Sequence, residues 1–139
     1  MNTRKLFIVL AVIVVLLATL ACNALSTSTP TVSNIRMTTD VTGKTTTALY
    51  SPLQEFYVFA DLSGIKVGSV IAAKWYAVNV TGVTPNNEIN TSSYTYESGI
   101  GFVYFKLSTN DGSAWPAGSF RVEITLDGKK VGEQSFSVQ

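Results

Sequence analysis

The chain has 139 residues, of which ten are Lys or Arg, nine Asp or Glu, none His and one Cys, for a formal net charge of +1. That length holds one domain. The missing His excludes His-based relays and His-ligated metals, and the single Cys excludes an intramolecular disulfide or a CxxC site. With 14% charged residues and almost no net charge, there is no electrostatic footprint for nucleic acid.

Arg4 and Lys5 precede an unbroken apolar run of 13 residues from Leu6 to Ala18, and Ala21 places a small residue just before Cys22. A basic start, a short apolar stretch and a small-residue exit describe a secretory signal peptide over residues 1–21. Thr19-Leu20-Ala21-Cys22 resembles the lipobox of bacterial lipoproteins. Ala21 and Cys22 follow its pattern, while Thr19 stands where Leu is preferred and Leu20 is bulkier than usual. The resemblance implies a diacylglyceryl group on the Cys22 thiol and cleavage just before it. The mature chain would then be anchored in the cell membrane and face outside the cytoplasm. Asn23, in place of the Asp that favours retention, leans towards an outer membrane where the host has one. An uncleaved membrane-spanning helix, near the lower length limit for spanning, and ordinary secretion are the competing readings. Cleavage removes Arg4 and Lys5 and leaves eight basic against nine acidic side chains, a balance of −1. A chain so balanced is drawn electrostatically to neither nucleic acid nor an anionic lipid surface.

Residues 23–31, NALSTSTPT, are small and polar and cannot bury enough surface to fold alone. We read 22–31 as a lipidated cysteine plus flexible tether and 32–139 as one domain. Beyond the tether, β-branched and aromatic residues alternate between Gly, Asn, Asp, Ser and Pro punctuation, with no helical period. The first strands are expected over 32–38 and roughly 53–60, the latter with Phe56, Val58 and Ala60 on one face and Tyr57 and Phe59 on the other. Asp61-Leu62-Ser63-Gly64 reads as a turn. Residues 67–78 form a stronger strand, in which Lys74 marks the wet face and turns Trp75 inward. A short strand follows near 93–97. Over 101–108 the Lys106 phase is outward, so Val103, Phe105 and Leu107 face the core. Trp115-Pro116-Ala117-Gly118 is a corner whose Trp is expected to plug the core. Phe120 to Leu126 alternates most cleanly, and Asp127-Gly128 signals a two-residue hairpin. That hairpin puts Phe136 and Val138 out of phase with Val131; either a bulge near Gly132 restores the phase or the loop is longer, and we favour the bulge.

Two sheets packed face to face bury what one sheet would leave exposed. The fold class expected is all-β: an immunoglobulin-like antiparallel β-sandwich of about seven strands. Trp115-Pro116-Ala117-Gly118-Ser119-Phe120, Leu126-Asp127-Gly128 and the earlier Ala73-Lys74-Trp75-Tyr76 resemble bacterial extracytoplasmic immunoglobulin-like modules. Phe120 replaces their more usual Tyr. The resemblance implies a fold and no activity.

No nucleophile elbow, Walker sequence, dinucleotide fingerprint or H-E-x-x-H occurs, so no catalytic residue, cofactor or metal site is assigned and no enzyme is expected. A carboxylate enzyme would need two acids facing one cleft. Calcium would be the metal best suited to oxygen ligands such as Asp61, Asn110 and Asp111, yet N-D-G is also a common turn. Among outward or ambiguous aromatics, Tyr94, Tyr96 and Tyr104 are the candidate contacts for an envelope protein or a glycan. Cross-strand support of the sheet is the plainer role for them. The function expected is a non-enzymatic interaction or structural module on the cell envelope. Its alternatives are carbohydrate or small-ligand binding through the aromatics, and a carboxylate-dependent hydrolase.

Overall fold

A computed structural model describes residues 28–139; the proposed signal peptide, Cys22 and the first part of the tether lie outside the described residues. Eight strands follow in chain order: β1 (Thr31–Thr38), β2 (Leu49–Tyr50), β3 (Phe56–Ser63), β4 (Val70–Val80), β5 (Asn87–Thr95), β6 (Phe102–Leu107), β7 (Gly118–Leu126) and β8 (Lys129–Val138). They form a three-stranded sheet in the order β1-β3-β6 and a five-stranded sheet in the order β2-β8-β7-β4-β5. Pairing is antiparallel throughout except between β2 and β8, where Leu49 lies opposite Ser137 and Tyr50 opposite Val138 in parallel. That pair corrects the all-antiparallel expectation: a two-residue strand is too short to show any period.

The inner faces meet as the alternation requires. Phe56, Val58, Ala60 and Leu62 of β3 and Val103, Phe105 and Leu107 of β6 are buried from one sheet. Ile71, Ala73, Trp75 and Ala77 of β4 and Phe120, Val122 and Ile124 of β7 are buried from the other. Aromatic rings fill the end of this core away from the N-terminus. Phe56 lies edge-on to Tyr50 at 4.8 Å and to Phe136 at 4.8 Å, and Phe120 stacks on Phe136 at 5.4 Å. Trp115 closes that end, stacked on Phe56 at 4.7 Å, while its backbone N–H donates to the Pro52 carbonyl at 2.8 Å.

The β7–β8 hairpin has the two-residue Asp127-Gly128 turn, with Leu126 opposite Lys129. Ile124 then faces Gly132 and Thr125 faces Lys130, so Val131 is the extra residue of a bulge. It returns Phe136 and Val138 to the core and leaves Val131 outside. β1 is bulged between Ser33 and Arg36, where Asn34 takes a positive φ of 48°. Ile35 thereby reaches β8, and a Cβ at Gly132 would overlap Ile35 Cδ1. Gln134 Nε2 donates to the Ile35 carbonyl at 2.8 Å, so β1 seals one long edge of the sandwich.

Several strand limits differ from expectation. β3 starts at Phe56, leaving Leu53 77% exposed in the preceding loop, and continues through Asp61-Leu62-Ser63, where a turn was expected. Those residues pair with Ser33, Val32 and Thr31 of β1, and the chain turns only at Gly64. β4 starts at Val70, not Val67, because the chain is still turning at Gly68, whose φ is +90°. β5 spans nine residues, far more than the short strand read near 93–97. It is an edge strand whose apolar side chains, Ile89 and Tyr94, sit five residues apart and lean on the core, so it carries no apolar alternation.

Candidate functional site

The outer face of the three-stranded sheet carries the exposed aromatics. Register places Phe59 of β3 opposite Tyr104 of β6, Asp61 opposite Phe102, and Tyr57 opposite Lys106. Strand alternation sends all six away from the inter-sheet core. Phe59 is nevertheless only 2% exposed. Tyr104 stacks against it at 5.3 Å and Phe102 at 6.0 Å, the Arg36 guanidinium lies 5.3 Å from its ring centroid, and the loop after β1 crosses it. That loop is pinned by the Thr38–Thr46 bridge, and a Cβ on Gly43 would stand 2.8 Å from the Phe59 ring. Phe102 and Tyr104 remain 54% and 44% exposed, forming a stacked aromatic surface with a buried ring beneath.

Ion pairs flank this surface. Arg36 Nη1 meets Asp61 Oδ1 at 3.0 Å, and Asn34 Nδ2 donates to Asp61 Oδ2 at 2.8 Å. The two donors, Asn34 first and Arg36 second, hold the Asp61 carboxyl below the usual Asp range. At the other side Lys106 Nζ contacts Glu55 Oε1 at 2.9 Å and the Tyr57 hydroxyl donates to Glu55 Oε2 at 2.6 Å. Those bonds hold Glu55 low, and the hydrogen bond to Glu55, reinforced by burial, pushes Tyr57 up to about 12. Both carboxylates are therefore charged and neutralised in place near neutral pH. The face can stack, make apolar contact and accept or donate hydrogen bonds at its rim.

The three tyrosines singled out from sequence do not come together. Tyr104 lies on this face. Tyr94 sits on β5 of the other sheet, opposite Ile71, and packs half-buried against the core. Tyr96, just after β5, also packs against the core, and its hydroxyl donates to the Ile100 carbonyl at 3.1 Å. Their neighbours Thr95 and Glu97 are exposed, so both rings lean inward from an edge strand. The functional neighbours that sequence reasoning missed are Phe59 and Arg36, whereas Phe102 stands with Tyr104 on the outward phase of β6. Phe59 and Phe102 were legible in the outward strand phases, but the loop over Phe59 was not.

The remaining candidates are spread apart. Asp61 belongs to the Arg36 pair near the start of β1, whereas Asn110 and Asp111 lie in the loop at the opposite end of the sandwich, so the three cannot share a calcium ion. Among the described residues no group of three or more Cys, Asp or Glu is placed to hold a metal. Glu123 and Glu133 are cross-strand neighbours on the outer face of the five-stranded sheet. Lys130 contacts them at 3.3 and 2.6 Å and Arg121 at 3.1 and 3.6 Å, giving a neutralised ladder on a flat surface. Arg121 also lies 4.8 Å from the Tyr76 ring, which occupies Tyr76 in sheet support. A shallow groove of about 230 Å³ beside Trp115 is lined by Leu53, Glu55, Thr109 and Ser113 among others, and it holds one carboxylate.

No protein-family model and no curated protein matches the chain. Among solved structures it is similar to an immunoglobulin-like protein from Pseudomonas aeruginosa, with a TM-score of 0.58 and 15% identity over 82% of this chain and 99% of that one. The fold is immunoglobulin-like. The same sandwich recurs within larger enzymes. The chain matches 30% of a Pseudomonas fluorescens alkylpurine DNA glycosylase at a TM-score of 0.50 and 11% identity, covering 79% of this chain. It also matches 16% of a Listeria innocua β-glucosidase at a TM-score of 0.50 and 14% identity, covering 80% of this chain. At such identities the likeness concerns the fold alone.

Proposed function

We propose that the chain is a non-enzymatic envelope lipoprotein, anchored through Cys22, that displays its sandwich as an interaction module. The observation that carries this reading is the outer face of the three-stranded sheet, where Phe102 and Tyr104 stay exposed over Phe59. Their inner faces cover Phe59 while their outer faces stay open to solvent, and rings so placed suit a protein contact. Asp40, Glu55, Asp61, Asp111 and Glu133 are all held below the ordinary carboxylate range, the opposite of a raised general acid. A photo-crosslinker at Tyr104 in growing cells is expected to trap discrete envelope adducts that one placed at Lys74, on the other sheet, does not. Equal labelling from both positions, or turnover of an envelope substrate abolished by one carboxylate substitution, would overturn the reading.

A second reading, carbohydrate binding, is favoured by the near-parallel stacking of Tyr104 and Phe102 on Phe59, at 22° and 25°. Flat stacked rings suit the apolar face of a sugar. It predicts saturable glycan binding that is lost in Tyr104→Ala and kept in Tyr94→Phe.

A further inference from the structure

The two ends of the sandwich differ in what they present and in how far each can stand from Cys22. One end gathers the start of β1, the 64–69 loop, the segment 96–101 and the Asp127-Gly128 turn. The pairs Thr31–Ser63, Ile71–Leu126 and Leu126–Lys129 and the bond from the Gly68 N–H to the Tyr96 carbonyl at 3.0 Å bring these pieces together. The opposite end holds Leu53, Trp115 and the loops 81–86 and 108–117.

At the first end the incoming chain is packed on the 64–69 loop. A Cβ on Gly64 would stand 3.0 Å from Ser28 Oγ and 3.2 Å from the Thr29 carbonyl. Only six steps separate Ser28 from Cys22, a reach of about 20 Å when fully extended. An acylated Cys22 lies at the lipid headgroups, so the 64–69 loop cannot leave the neighbourhood of the bilayer. The loop tip is built for that place. Ile65 is buried as its root, Lys66 is exposed beside it, and Val67 projects 70% exposed with Val70 39% exposed behind it. Lys129 stands on the adjoining turn, where Asp127 is engaged, accepting from the Val70 N–H at 2.8 Å. Glu97 and Asp127 are the exposed acids at this end. An apolar tip flanked by two lysines suits the headgroup–acyl boundary. Because the tether supplies the proximity, a near-neutral domain needs no long-range attraction to lie there.

We infer that the Lys66-Val67 tip of the 64–69 loop inserts into the bilayer that holds Cys22, so that the domain stands on this end and presents Trp115 and Leu53 outward. The inference rests on the proposed lipid anchor. It is tested with full-length protein purified from membranes and reconstituted in vesicles of phosphatidylethanolamine and phosphatidylglycerol, carrying a nitroxide at Val67→Cys or, for comparison, Leu53→Cys. Both parent residues are highly exposed, so neither label disturbs the core. At position 67 collisions with an aqueous nickel chelate are expected to fall about threefold or more relative to position 53, while collisions with lipid-dissolved oxygen rise. Equal access at the two positions in protein that floats with the vesicles would overturn the insertion and leave the anchor standing. A fall in both collision rates at 67 would mean a protein contact, and it too would overturn the inference. Protein that does not float would overturn the anchor and the insertion with it.

Discussion

Tyr50 shows how one side chain fixes a crossing between the sheets. Its ring is buried against Phe56 and Phe136, and its hydroxyl donates to the Thr38 carbonyl at 2.6 Å across the loop that joins β1 to β2. Burial pushes its ionisation well above that of a free tyrosine. Tyr50→Phe removes that hydrogen bond and should cost about 0.5–1.5 kcal/mol in urea unfolding. Gly132 is constrained by packing alone: Gly132→Ala meets Ile35 Cδ1 and should cost about 1–3 kcal/mol. Ile35→Val removes that atom, so the double variant should lose less than the sum of the singles, and strict additivity would refute the contact. Asp61 sets an acid dependence. Its folded-state value is depressed by Asn34 and Arg36, so the stability it adds is complete above the unfolded value of about 4 and fades as pH falls through the lower folded value. Denaturant midpoints followed from pH 7 down to about 2.5 should fall less steeply below about pH 4 in Asp61→Asn than in the parent chain.

Strands with one wet and one buried face were legible because their alternation is a direct image of burial. Lys74 and Lys106 chose the phase of β4 and β6 correctly, placing Trp75, Val103, Phe105 and Leu107 inside. The mismatch of Val131 with Phe136 and Val138 called for either a bulge or a longer loop, and the register shift at Ile124–Thr125 is the bulge. Edges were illegible for the matching reason. β5 is mostly polar, with Ile89 and Tyr94 too far apart to show a period of two, and β2 pairs through its backbone with no pattern to advertise it. The candidate site was legible only in part: Tyr104 stood on an outward phase, but the closure of Phe59 by the loop at Gly43 is a long-range contact that no local window contains. The same distinction predicts dynamics. Amide exchange should be slowest in β7 and β4, each paired on both sides, and much faster in the edge strands β5 and β2. Protection in β5 equal to that in β7 would contradict this sheet order.

The assembled domain is a sandwich with two unlike outer faces and two unlike ends. The five-stranded sheet turns a neutralised charge ladder to solvent, suited to solubility, while the three-stranded sheet turns aromatic rings outward. The role proposed for that aromatic face depends on export and on the anchor at Cys22. The direct measurement is the intact mass of the native protein taken from cell membranes. The account predicts a chain that begins at Cys22 and carries the added mass of a diacylglyceryl group, with or without a further acyl chain. A chain that retains residues 1–21 with an unmodified Cys22 thiol would contradict it.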